Sequence, residues 1–164
     1  MSDSTADPDE TISYEYQFTF DDGVVKIFTV TLNAKTLDII QDKPVFYPPW
    51  TALAHCQCPN CPLKPAQHSC CPIAINLVDL VDFFRDSYSY EKAHILITTA
   101  TRSYQKHTSL QEGVSSLLGI YMVSSGCPIL SKLRPMLRAH IPFSTVTETQ
   151  YRLLSLYLLA QYLL

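Results

Sequence analysis

Glycine is scarce in this chain: 164 residues hold four. None of the four falls in GxGxxG or in a glycine-rich loop followed by Lys-Ser/Thr, so no backbone cradle for phosphates is expected. GxSxG is missing too, which removes the strained nucleophile turn of the common serine hydrolases. No CxxCH occurs, which excludes the usual covalent haem attachment. Positive charge is not in excess. With a net charge of -3 the chain has no overall field to draw nucleic acid or an anionic membrane, so neither is an expected partner. The most apolar run, "LLSLYLLAQYLL", is too short to cross a bilayer and follows Arg152 directly. The opening "MSDSTADPDETIS" has neither a basic region nor an apolar stretch, so no secretory signal is expected and the expected location is cytoplasmic.

What is present suits one globular domain. Hydrophobic residues make up 47% and charged ones 16%, enough apolar surface for a core without disulfide staples. Residues 1–11 read as a solvated acidic tail and 12–164 as a single α+β domain. "YEYQFTF" alternates aromatic and polar side chains, "DDG" supplies a turn, and "VVKIFTVTL" resumes at strand spacing, which is a hairpin. "NAKTLDIIQDKP" is expected to hold a short helical turn. "VFYPPW" is expected to be irregular, because adjacent prolines oppose both helix and ladder. Pro72 suits the first position of a helix, whose face would carry Ile73, Leu77, Leu80, Val81 and Phe84. A second hairpin fits "YEKAHILITT" and "RSYQKHT" around Thr99–Arg102, giving four strands in one antiparallel sheet. Ser109/Glu112 and Thr145/Glu148 both have capping-box spacing, and each should open a helix. Gly126 ends the first of these, and "PILSKLRPML" forms a short helical piece limited by Pro135. The fold expectation is therefore two hairpins packed against three or four helices, with a cysteine-rich loop between.

That loop carries the strongest chemical signal. "HCQCPNCPLKPAQHSCCP", residues 55–72, holds five of the six cysteines. Where thiols stay reduced, such clustering points to metal or redox chemistry rather than disulfides. Cys58 and Cys61 are spaced so that both sulfurs can reach one ion, and tetrahedral zinc sites and iron–sulfur clusters alike take four protein ligands. Proline selects the other two. In a Cys-Pro pair the cysteine is held toward extended backbone, which aims its sulfur before any metal arrives. Cys58, Cys61, Cys71 and Cys127 meet this condition and form the expected ligand set. Cys56 and Cys70 do not, and with His55 and His68 they rank as substitutes. Zinc is the expected metal and an iron–sulfur cluster the alternative. Such a site would be structural or regulatory, in a protein acting through a protein partner rather than by turnover. A second reading is a redox protein, either an iron–sulfur electron carrier or a dithiol oxidoreductase built on "CPNC". The dithiol form needs its first cysteine at a helix N-terminus after a strand.

His94 and His107 are expected on the surface of the second hairpin. Lys132, Arg134, Arg138 and His140 form a small basic cluster, read as one solvated helix face. The last helix is apolar around most of its girth. It is expected either at the centre of the core or as the seam of a homodimer.

On "CPNCPL" at 58–63, "CP" at 71–72, "TSLQEGVSSLLGIYMVSSGCPIL" at 108–130, "RPMLRAHIPF" at 134–143 and "YLLAQY" at 157–162, the sequence resembles an uncharacterised family of small bacterial proteins catalogued as a domain of unknown function. The resemblance covers most of the chain after the first hairpin. It implies a bacterial source and no assigned activity, and Cys56 and Cys70 fall outside its pattern.

Overall fold

The computed structural model describes residues 11–42 and 46–163. The expected acidic tail lies outside the described residues except for Thr11, which opens the first strand. Alternation of the aromatic residues drives that strand: β1 (Thr11–Phe20) buries Tyr14, Tyr16, Phe18 and Phe20 on one face. Gly23, at φ 87°, closes the "DDG" turn in a conformation that costs a side-chain-bearing residue more. β2 (Val25–Asn33) returns antiparallel, with Tyr16 opposite Phe28 and Tyr14 opposite Val30.

The second hairpin forms as the sequence indicates: β4 (Lys92–Thr98) and β5 (Ser103–Ser109) pair antiparallel, and the Thr99 N–H donates to the Arg102 carbonyl across the turn at 2.9 Å. β4 joins β1, so the two hairpins share one sheet. The sheet has five strands in the order β3-β2-β1-β4-β5, one more than expected. The extra strand, β3 (Ile39–Ile40), pairs with Thr31 and Leu32 where a helical turn was expected. Before it, Asn33 Oδ1 accepts from the Lys35 and Thr36 N–H groups, and Leu37 sits at φ 60° with its side chain in the core.

The helical elements depart further from expectation. The prolines of "YPPW" do not exclude helix: Pro49–Thr51 is a single 3-10 turn, because a proline at the first position forfeits no needed donor. The helix opened by Pro72 breaks at Leu77 into α1 (Pro72–Asn76) and α2 (Val78–Phe84). The break rotates the apolar stripe, so Val78 is buried with Leu80 while Val81 faces solvent.

α3 (Leu110–Ser124) covers the sheet, burying Leu110, Leu117, Ile120 and Tyr121 against β1 and β4. Each such side chain withdrawn from water contributes about 1.5–3 kcal/mol. Gly113 is where helix and sheet come closest. A Cβ there would lie 2.3 Å from Ile95 Cδ1 and 2.8 Å from Phe18 Cε1.

Gly126, at φ 81°, ends this region of chain as expected, and a ten-residue 3-10 segment, Leu130–Ala139, follows. It runs through Pro135 rather than stopping there. α4 (Val146–Leu163) closes the chain, and no residue in it is buried, which removes the expectation that it sits at the centre of the core. None of the helices among the described residues is long and apolar enough to cross a membrane.

Candidate functional site

The cysteine loop is held at its neck. Residues 51–53 and 69–71 run antiparallel: the Cys71 N–H donates to the Thr51 carbonyl at 2.8 Å, and the Leu53 N–H to the Ser69 carbonyl at 2.9 Å. Thr51 and Leu53 anchor this neck in the interior, 1% and 2% exposed. Beyond it the burial stops. Every residue from Ala54 to Asn60 and from Lys64 to Ser69 is exposed, and Cys61 and Leu63 are half-buried. The loop is shaped by its own short hydrogen bonds: Gln57 Nε2 donates to the Leu63 carbonyl at 2.7 Å, and the Gln67 N–H to the Lys64 carbonyl at 2.9 Å.

Within it the Cys58–Cys61 spacing folds as a turn, closed by the Cys61 N–H donating to the Cys58 carbonyl at 3.0 Å. Cys71 has the extended backbone that its Cys-Pro pair demands, φ −73° and ψ 126°, and caps α1. Cys58 is exposed, while Cys61, Cys71 and Cys127 are half-buried. Cys127 lies beyond Gly126, its carbonyl accepting from the Ser131 N–H. Of the substitutes, Cys56, His55 and His68 are exposed; Cys70 is half-buried, and the Thr51 hydroxyl approaches its sulfur at 3.7 Å. All six cysteines are free thiols. Among the described residues no three or more His, Cys, Asp or Glu side chains come together as a group that could hold a metal ion. No helix follows Cys58, which sits in the loop ahead of a two-residue turn.

The basic cluster is not one solvated face. Arg134 Nη1 pairs with Asp38 at 2.7 Å and also donates to the Thr36 carbonyl, tying the 3-10 segment to the β2–β3 turn. Arg138 donates to the Lys35 carbonyl. His140 turns inward, its ring edge-on to Tyr14 with centroids 5.4 Å apart. Its Nε2 lies 3.4 Å from Ser116 Oγ and 3.5 Å from the Tyr16 hydroxyl, which are themselves 3.0 Å apart. Burial, assisted by the nearby Arg152 charge, pushes the imidazole down to about 4, and burial raises the Tyr16 hydroxyl. At neutral pH this is an uncharged triad of hydroxyl, hydroxyl and imidazole.

Ser116 and His140 of this triad border a cavity of about 360 Å³ between α3, the 3-10 segment and α4. Grouping His140 with Lys132, Arg134 and Arg138 by charge hides this site in the sequence. The signal was the three-residue spacing of Leu137 and His140, which in a 3-10 segment puts the histidine in line with the buried leucine. His94 and His107 behave as expected, paired across β4 and β5 on the exposed face.

A family model for a domain of unknown function, DUF6901, matches residues 13–164. The chain belongs to this DUF6901 family. The match spans both hairpins, the cysteine loop, the cavity and α4, so both candidate sites lie within the DUF6901 domain. No curated protein and no solved structure matches the chain.

Proposed function

We propose that this DUF6901 chain is a small cytoplasmic metal-binding protein whose cysteine loop takes a thiophilic ion, zinc first and an iron–sulfur cluster as the alternative. The observation that carries the reading is the Cys58–Cys61 turn, closed at 3.0 Å, in a loop with no fully buried side chain from Ala54 to Ser69. A segment without a core of its own has little to offset the entropy of ordering it. Cross-linking by an ion supplies that stabilisation, and binding would couple to ordering of the loop. Cys71, preset at the anchored neck, and Cys127 complete the ligand set, drawn toward the turn as the ion binds. Cys56, Cys70, His55 and His68 are the substitutes.

The role is structural or regulatory, and the chain acts through a protein partner. α4 offers the surface: Tyr151, Leu154, Leu158 and Tyr162 stand 73%, 61%, 64% and 86% exposed. A second copy of the chain is one occupant, which light scattering after size exclusion would reveal as a dimer.

Dithiol redox chemistry is the weaker reading, because Cys58 lacks the helix N-terminus on which such dithiols are built. Elemental analysis of protein purified without oxygen tests the proposal. Zinc should co-purify in a colourless protein, and serine at Cys58, Cys61, Cys71 or Cys127 should lose it where serine at Cys56 does not. A brown protein with visible absorption would shift the assignment to iron and sulfur. Metal-free protein with six titratable thiols would refute it.

A further inference from the structure

Two glycines lie inside α3, and they are there for different reasons. A helical glycine costs about 0.5–1 kcal/mol relative to alanine, so each calls for a cause. Gly113 has one in the sheet pressed against it. At Gly119 a Cβ would meet nothing within 4 Å, and its backbone is not in the left-handed region. The space it leaves open is the wall of the 360 Å³ cavity.

The cavity falls in the range of small-molecule sites, which are mostly apolar with a few polar groups that fix orientation. Met122, Leu133, Met136 and Phe143 supply apolar walls. Methionines suit a flexible apolar occupant because they repack easily. The polar lining includes Ser116 and His140, 3.4 Å apart, with Arg152 near the imidazole. Charge decides the rest. Glu112 also borders the cavity but is committed to Lys106 and to the Thr108 hydroxyl. Glu148, one turn before Arg152, accepts from the Thr145 N–H at the start of α4 and feels the Arg152 charge without contacting it. Among the described residues Arg152 donates to Ser144 Oγ, at 3.2 Å, and no carboxylate lies within ion-pair distance of it.

We infer that this cavity binds a small amphipathic carboxylate, its head on Arg152 beside Ser116 and its apolar body along Met122, Leu133, Met136 and Phe143. A single guanidinium matches a single negative charge. A phosphate dianion would leave charge unpaired among apolar side chains, which is costly, and an ammonium would meet Arg152 head-on. A cavity of about 360 Å³ suits a medium-chain or aromatic acid.

Calorimetric titration of the full chain with decanoate, decanol, decylamine and decyl phosphate, below their micellar concentrations, tests this. Decanoate should saturate a single site and bind at least ~10-fold more tightly than decanol or decyl phosphate, and decylamine should not bind. Gly119→Leu should abolish decanoate binding while leaving the melting temperature unchanged or raised, since its side chain enters open space. Arg152→Gln should weaken decanoate toward the decanol value, and Arg152→Lys should keep part of the preference. Equal binding of decanoate and decanol, undiminished binding in folded Gly119→Leu, or no saturable binding of decanoate would overturn the inference.

Discussion

α3 and α4 are both rich in apolar residues and have opposite fates. α3 buries Leu117 and Ile120 completely against the sheet, whereas α4 leaves Leu154, Leu158 and Leu159 more than half exposed. The difference lies in what faces each helix. α3 meets a sheet whose inner face is mostly Tyr, Phe, Val, Leu and Ile, with a glycine that lets it approach. α4 packs mainly against the narrow 3-10 segment, with Arg152 reaching back to Ser144 in the turn between them. Apolar content alone does not determine burial; it needs a complementary surface within reach.

The largest effect separating the two helices should come from truncating one leucine in each. Leu117→Ala is expected to cost about 2–5 kcal/mol in denaturant unfolding, through lost burial and the cavity left behind. Leu158→Ala should stay within about 0.5 kcal/mol. A comparable loss at Leu158 would mean that α4 is covered in solution, and light scattering would then show by how many chains.

His140 sits on the seam between the helices and gives the next effect. Its imidazole titrates near 6.5 when unfolded and at about 4 when folded. Between those values the unfolded chain holds more protons, so the contribution is complete above pH 6.5 and declines as pH falls toward 4. At most about 3 kcal/mol is involved. Unfolding curves at pH 7 and pH 4.5 should differ more for the native chain than for His140→Asn.

The glycines sharpen the same contrast. Gly113→Ala should destabilise by about 1–3 kcal/mol through overpacking against Ile95 and Phe18. Gly119→Ala should stabilise by about 0.5–1 kcal/mol. Opposite signs in thermal melts would establish that only one glycine answers a packing need. The smallest effect belongs to Thr145→Ala, which removes the reciprocal cap with Glu148. It should fray the first turn of α4, seen as a slight loss of helical circular dichroism.

The hairpins were legible because a period of two in "YEYQFTF" and "AHILIT" admits one burial pattern, and the turns carried their own chemistry. β3 was not legible, since two isoleucines have no period and pair only because Asn33 and Leu37 fold the preceding turn. The capping boxes show why a motif is not a contact. At Thr145 the exposed Glu148 is free to reach back, and the box forms. At Ser109 the same spacing gives no side-chain cap, because Lys106 on the adjoining strand and Thr108 take Glu112. Lys106 offers the carboxylate a full positive charge, which a backbone N–H does not. The cysteine spacing was legible as a turn at Cys58–Cys61. His140 and Arg152 were not legible as neighbours, because their meeting depends on how α4 docks, which no local pattern encodes.

Cobalt titration of the reduced, metal-free chain tests the cysteine reading most directly. The account predicts uptake of one equivalent, with intense thiolate charge-transfer absorption and the visible bands of a tetrahedral ion, reversed by zinc and lost when Cys58 and Cys61 are both serine. Pale octahedral spectra, or spectra unchanged by those two substitutions, would contradict it.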